Sequence, residues 1–113
     1  MAEPCIFCKI AHNEVHPQMV MNSKDIMAFR DLNPQAPTHI LIIPKKHIPS
    51  LDDVNDAKLL GEMFALAAAI ARQEHIAKTG YRIVVNTGKQ GGQSVPHMHL
   101  HLLGGRDMAW PPG

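Results

Sequence analysis

Apolar and polar positions divide this chain into short stretches of period two and one long stretch of helical period. "PQMVMNS" (17–23) and "DIMAFRDL" (25–32) read as two strands joined by a tight turn near Asn22, Ser23 and Lys24. In the second, Met27, Phe29 and Asp31 share one face, and Ile26, Ala28 and Arg30 take the other. "NPQAP" (33–37) is a loop by its two prolines. "THILIIPKKH" (38–47) holds the unbroken apolar run Ile40 to Ile43, closed by Pro44, which suits a strand covered on both faces. The helical pattern spans 53–78, where Leu59, Leu60, Met63, Phe64, Ala67, Ile70 and Ala71 recur at spacings of three and four. Asp52, Asp53 and Asn55 offer N-caps, and Gly80 offers a stop. "YRIVVN" (81–86) is a strand, "TGKQGGQSVP" (87–96) a glycine-rich loop, "HMHLHLLGG" (97–105) the last strand and "RDMAWPPG" a stiff tail. Near the start, "PCIFCKIAHNEV" (4–15) fits a short helical turn with Ile6, Phe7 and Ile10 as its apolar side. Hairpins, one long helix and a further strand pair predict an α+β fold: an antiparallel sheet of about five strands with a helix on one face.

Composition narrows the classes without choosing among them. A chain of 113 residues predicts a single domain, residues 1–113. Hydrophobic residues make up 45%, enough for an ordinary globular core. Seven methionines, against three phenylalanines and one tyrosine, suggest an adaptable one. The net charge of +1 gives no broad electrostatic footprint for nucleic acid or an acidic membrane. No apolar run approaches a membrane span, and "MAEPCIFCKI" lacks the basic-then-apolar pattern of a signal peptide. A cytoplasmic location is the default expectation, and there two cysteines do not read as a disulfide.

The chemistry concentrates in "SVPHMHLHLLGG" (94–105). On a strand, His97, His99 and His101 line one side, while Met98, Leu100 and Leu102 line the other and meet the long helix. At roughly 3.3 Å per residue, neighbouring histidines lie about 6–7 Å apart and the outer two about 13 Å, so one ion cannot take all three. A solvated polar face would mix Thr, Lys and Glu. A row of imidazoles instead suggests titratable groups facing a substrate, one as nucleophile or base and its neighbours as hydrogen-bond donors. Directly before them stand Gly88, Gly91 and Gly92, then Gln93 and Ser94. Glycines let backbone N–H groups approach an anion, although the spacing of a P-loop is absent. "CIFC" places Cys5 and Cys8 at a spacing open to three readings: half of a zinc site, a redox pair, or two unconnected thiols.

"HMHLHLL" fits His-φ-His-φ-His-φ-φ, with φ apolar, and is similar to the signature of the histidine triad (HIT) family. "FRDLNPQAPTHILIIPKKHI" and "VVNTGKQGGQSVPHMHLHLLGGR...WPPG" extend the resemblance to the nucleotide-binding branch, over nearly the whole chain. The resemblance implies a HIT-like fold and hydrolysis of purine nucleoside phosphoramidates and aminoacyl adenylates to nucleoside monophosphate. It implies that His99 is the nucleophile and forms a covalent nucleotidyl-histidine that water cleaves. His101 and His39 would contact phosphate oxygens or orient His99. Ser94 would help protonate the departing amine. Asn86, Gly92 and Gln93 would line the phosphate site, and Asp31 would accept from the ribose hydroxyls. Ile6, Phe7, Phe29 and Leu32 would form the base pocket, with Ile10 nearby. His39 taken alone reads as a strand-end surface residue, and His12, His16 and His75 read as surface residues.

Some bacterial members and related nucleotidyl transferases pair such a Cys-x-x-Cys with two histidines, while several nucleotide-binding members lack both cysteines. The resemblance therefore implies a structural zinc on Cys5, Cys8, His47 and His97. It also implies a homodimer whose tail, carrying Trp110, reaches toward the partner's active site. The alternatives are a dinucleoside polyphosphate hydrolase, a nucleotidyl transferase and a non-catalytic nucleotide-binding or scaffold protein. Transferases often carry Gln in place of the last histidine, and here that position is His101.

Overall fold

The computed structural model describes residues 5–113, so Pro4, where the expected first turn begins, lies outside the described residues. The described elements follow the order α1 (Ile6–Ala11), β1 (Met19–Asn22), β2 (Ile26–Arg30), β3 (Thr38–Pro44), α2 (Ala57–Gln73), β4 (Tyr81–Val84) and β5 (Leu100–Gly104). Among the described residues the strands make one five-stranded antiparallel sheet ordered β1-β2-β3-β5-β4. No helix among the described residues is long and apolar enough to cross a membrane.

Alternation along the strands builds a different core on each side of the sheet. Ile26 and Ala28 of β2, Ile40 and Ile42 of β3, and Leu100 and Leu102 of β5 pack with Met63, Ala67, Ile70 and Ala71 of α2. Met27, Phe29, Leu41 and Ile43 face the other way and pack with Phe7 and Ile10 of α1. The apolar run of β3 is thus covered on both faces, as its composition predicts. The smaller helix shares its face with the histidines, and its Phe7 packs edge-on against the rings of His97 and His99.

The strands are shorter than the sequence reading at several ends, and three further boundary differences each have a local reason. The N-cap of α2 is Asp56, whose carboxylate accepts from the Leu59 N–H at 3.1 Å. Asp52 and Asp53 instead sit in a 3₁₀ turn (Leu51–Asp53). The helix stops at Gln73, well before Gly80. His75 takes a left-handed conformation (φ 62°). The His75 N–H then donates to the Arg72 carbonyl at 3.2 Å and the Ile76 N–H to the Ala71 carbonyl at 3.0 Å. That is a Schellman closure, completed by burial of Ile76 in the core. Phe64, expected on the core face, is 40% exposed.

The third difference concerns the last strand, which begins at Leu100 rather than at His97. β4 ends at Val84, opposite His101, so no ladder partner remains beyond it on that side. The Met98 N–H bonds instead to the Ile48 carbonyl at 2.6 Å, and the His97 N–H turns back to Val95 at 2.8 Å. Alternation survives without the ladder: Met98 still joins the α2 core, while the rings of His97 and His99 both lie edge-on to Phe7 on the opposite face.

Candidate active site

Each of the three histidines is fixed by a ring contact of its own, and a carbonyl oxygen can only accept, so the contacts dictate which ring nitrogen carries the proton. His99 Nδ1–H donates to the His97 carbonyl at 2.7 Å, leaving Nε2 as a bare lone pair. His97 Nε2–H donates to the Pro44 carbonyl at 2.7 Å, leaving Nδ1 bare toward the cysteines. His101 is reached through His39. The Gln35 N–H donates to His39 Nδ1 at 3.0 Å, so His39 carries its proton on Nε2. That proton points to His101 Nδ1 at 2.9 Å, so His101 keeps its own proton on Nε2.

These assignments need neutral rings, and burial supplies them. His99 is held below the ordinary imidazole value by burial, against the opposing pull of the His97 carbonyl and Asp31. His101 is pushed down to about 4, first by burial and then by the neighbouring rings of His99 and His39. His39 is lowered by burial, with Asp31 pulling the other way. His97 is also lowered by burial, against the pull of the Pro44 carbonyl. A neutral imidazole with a free Nε2 is the nucleophilic form.

His39 is 6% exposed, so its place on the site face outweighs its place at a strand end. The register pairs Leu41 with His101 and His39 with Leu103. His39 and His101 are therefore diagonal neighbours, with ring centres 5.2 Å apart. Asp31 Oδ2 lies 3.5 Å from His39 Nε2, and its Oδ1 accepts from the Asn33 N–H at 2.8 Å. His99 and His101 lie 4.9 Å apart, ring centre to ring centre.

A pocket of about 360 Å³ opens over these groups, a size ordinary for small-molecule sites. Ile6, Phe7, Ile10, Phe29, Asp31, Leu32, Ser94, His99 and His101 line it, so the base, ribose and histidine candidates converge in space. Leu32 contributes from the rim and is almost fully exposed. Sequence reasoning missed Val15, His16, Pro17, Arg30, Leu41 and Val95 as lining residues. Leu41 could have been found, because it shares the face of His39 and pairs with Phe29 across the β2–β3 ladder. His16 is exposed, as expected, yet it stands at the pocket rim.

Asn86, Gly92 and Gln93 are not among the lining residues; their polar groups are engaged within the glycine loop. Asn86 Nδ2 donates to the Gly91 carbonyl at 2.7 Å. Gln93 accepts from the Gly88 N–H at 3.0 Å and donates to the Pro49 carbonyl at 2.6 Å, tying the loop to the segment after β3. Gly91 is required by close approach, since a Cβ there would overlap the Thr87 carbonyl oxygen. We expect Gly91→Ala to cost on the order of a hundredfold in kcat/KM, because a displacement near 1 Å at Ser94 suffices. Its loss of stability should stay within about 1–3 kcal/mol, the usual range for one substitution. Steady-state kinetics beside a melting curve checks this, and unchanged kcat/KM would refute the loop's role.

A second cluster lies on the far side of His97. Cys5 Sγ and Cys8 Sγ approach His97 Nδ1 at 3.4 and 3.6 Å, and Cys8 Sγ approaches His47 Nδ1 at 3.1 Å. The four donor atoms all fall within 4.8 Å of one another. Burial first, and then Cys5, raise the Cys8 thiol above its ordinary value. The structure thus separates His97 from His99 and His101: one ring faces the sulfurs, two face the pocket.

The HIT domain family model matches residues 12–108. The chain belongs to the HIT family. It is 51% identical over 110 residues to the purine nucleoside phosphoramidase of Escherichia coli K12, covering 96% of this chain and 92% of that one. It is 47% identical over 114 residues to the 14 kDa zinc-binding protein of Zea mays, covering 97% and 88%. A HIT family hydrolase from Legionella pneumophila superposes with a TM-score of 0.95 at 54% identity, covering 97% of this chain and all of that one. The HIT fold expected from "HMHLHLL" is the fold observed.

Proposed function

We propose that this HIT protein hydrolyses purine nucleoside phosphoramidates and aminoacyl adenylates to nucleoside monophosphates through a covalent intermediate on His99. The observation that carries the reading is the 2.7 Å bond from His99 Nδ1–H to the His97 carbonyl, which leaves Nε2 unprotonated beside a nucleoside-sized pocket. The 51% identity to a purine nucleoside phosphoramidase supports the substrate class. The base lies among Ile6, Phe7, Phe29 and Leu32, and Asp31 has lone pairs left for the ribose hydroxyls.

In the first step His99 Nε2 bonds to the α-phosphorus and the bond to the leaving group breaks, P–N in a phosphoramidate and P–O in an aminoacyl adenylate, whose carboxylate leaves without a proton. The amine leaves with the Ser94 hydroxyl proton, which the serine recovers from the water that attacks in the second step. In the second step water attacks the phosphorus and the imidazole departs. Imidazole suits both steps, being nucleophile and leaving group in turn. His101 Nε2–H donates to a phosphoryl oxygen, and His39 fixes that orientation from behind. Rapid quenching with an adenosine phosphoramidate should trap adenylate on the His99 peptide in mass spectrometry. Turnover without that adduct, or an adduct on another residue, would refute the pathway.

Cys5, Cys8, His47 and His97 suit a zinc ion, and the fixed His97 tautomer presents a free Nδ1 to it. Two thiolates and two imidazoles make a closed set, so the metal would be structural and would tether the N-terminal segment to the His97 backbone. The name of the maize relative supports this reading. Protein from zinc-supplied cells should carry about one zinc per chain, whereas less than a few tenths of an equivalent would sink the site. We further read the chain as a single-domain cytoplasmic protein that forms a homodimer. β4 is an edge of the sheet, and Phe64 and Tyr81 are large exposed side chains. The tail, held by Arg82 donating to the Ala109 carbonyl at 2.8 Å, leaves Trp110 82% exposed to meet the partner's active site.

A further inference from the structure

We propose that Cys5 and Cys8 form a reversible disulfide that weakens nucleotide binding and slows turnover, and that metal on the same cluster blocks it. The proposal rests on the functional reading above and adds a covalent modification to it. Cys5 is the extended residue just before α1 (φ −78°, ψ 133°), and Cys8 lies in the first turn of that helix. Both sulfurs converge on one acceptor, His97 Nδ1, at 3.4 and 3.6 Å. They therefore share one small space, and their separation is no more than 4.8 Å. Side-chain rotation with a small shift of the first turn would bring them to bonding distance, about 2.0 Å. Both thiols are partly accessible and His47 beside them is exposed, so a small oxidant can reach them.

The consequence travels along two short paths. Phe7 lies between the cysteines in sequence, and its ring centre sits 5.0 Å from His99, 5.7 Å from His97 and 5.6 Å from Phe29. Ile6 and Phe7 also line the base side of the pocket, so tightening the first turn of α1 moves that wall. The second path runs through His97. Its ring loses its thiol contacts on oxidation, and its carbonyl is the acceptor that holds His99 Nδ1–H. One disulfide thus reaches both the nucleotide pocket and the nucleophile.

The oxidant is a small-molecule disulfide. One cysteine thiolate attacks it, forms a mixed disulfide and expels a thiolate. The second cysteine then attacks the mixed disulfide at the protein sulfur and expels the other thiolate. Two electrons pass to the oxidant, and the two cysteine protons end on the two small thiols. A metal on the cluster occupies both sulfurs as ligands and so withholds them from this exchange. In a reducing compartment the bond would be transient, as redox-sensing disulfides are.

The test compares the full chain in three states: metal-stripped and reduced, zinc-loaded, and metal-stripped after oxidised glutathione. Intact mass reads the loss of two hydrogens, calorimetry reads AMP affinity, and kinetics read kcat and KM. We expect the oxidised state to lose about tenfold or more in AMP affinity and in kcat/KM, the scale seen when groups supporting a site are disturbed. Dithiothreitol should restore both, and zinc-loaded protein should resist oxidation. In the double variant Cys5→Ser, Cys8→Ser, oxidised glutathione should change neither mass nor AMP affinity. The proposal is overturned by a disulfide that leaves AMP affinity unchanged, by glutathione adducts in place of the internal bond, or by a double variant that responds equally. Reduced protein that binds AMP but leaves phosphoramidates intact would refute the hydrolytic function alone.

Discussion

His99→Ala lowers phosphoramidate turnover by at least about a hundredfold while nucleotide affinity stays within a few-fold. The two effects separate because different groups make them. Phe7, Phe29 and Leu41 build the apolar wall of the pocket, and none depends on the His99 Nε2 lone pair. Removing the ring removes the atom that bonds to phosphorus. No neighbour replaces it, since His101 Nδ1 is committed to the proton of His39. The ring is also a packing element, buried against Phe7 and His101, so alanine leaves a void. His99→Asn controls for that: it keeps much of the volume and an N–H for the His97 carbonyl, yet has no basic nitrogen. Both variants should bind AMP by calorimetry, and neither should form the adenylate adduct. Full activity in either one would end the proposed mechanism.

Period-two alternation assigned Ile26 and Ala28 to one core and Met27 and Phe29 to the other, because a strand offers each side chain only two directions. The same rule placed His97, His99 and His101 on one face even though the ladder starts only at Leu100. Extended backbone alternates whether or not it is paired. What the sequence could not carry was pairing across space. His39 looks like a strand end until β5 lies beside β3 and sets His101 next to it. The proton positions on all four rings follow from carbonyls and N–H groups at Pro44, His97 and Gln35, which no side-chain pattern encodes. The end of α2 failed for a related reason. Gly80 does take a positive φ (106°), but the helix is already closed at His75 (φ 62°), which turns Ile76 into the core.

Acid destabilises this protein from near pH 6.5 downward, before ordinary carboxylates titrate. His39, His97, His99 and His101 all have folded values below the 6.5 of the unfolded chain, chiefly through burial. Between the unfolded and folded values the unfolded state holds more protons, so stability rises with pH. The contribution is fully present above about 6.5 and is lost as pH falls toward the folded values, which for His101 means toward about 4. Each ring contributes a slope of roughly 1.4 kcal/mol per pH unit where the unfolded chain is protonated and the folded chain is not. Urea unfolding of the metal-free protein between pH 7 and 5 should give a slope above that of one proton, since four rings act together. His101→Gln should make the dependence shallower by about one proton, because an amide can still accept from His39 Nε2–H but does not titrate. Stability that is flat from pH 7 to 5 would mean that the rings are not held neutral. Burial would then not be extending the unprotonated form of His99 below its ordinary range.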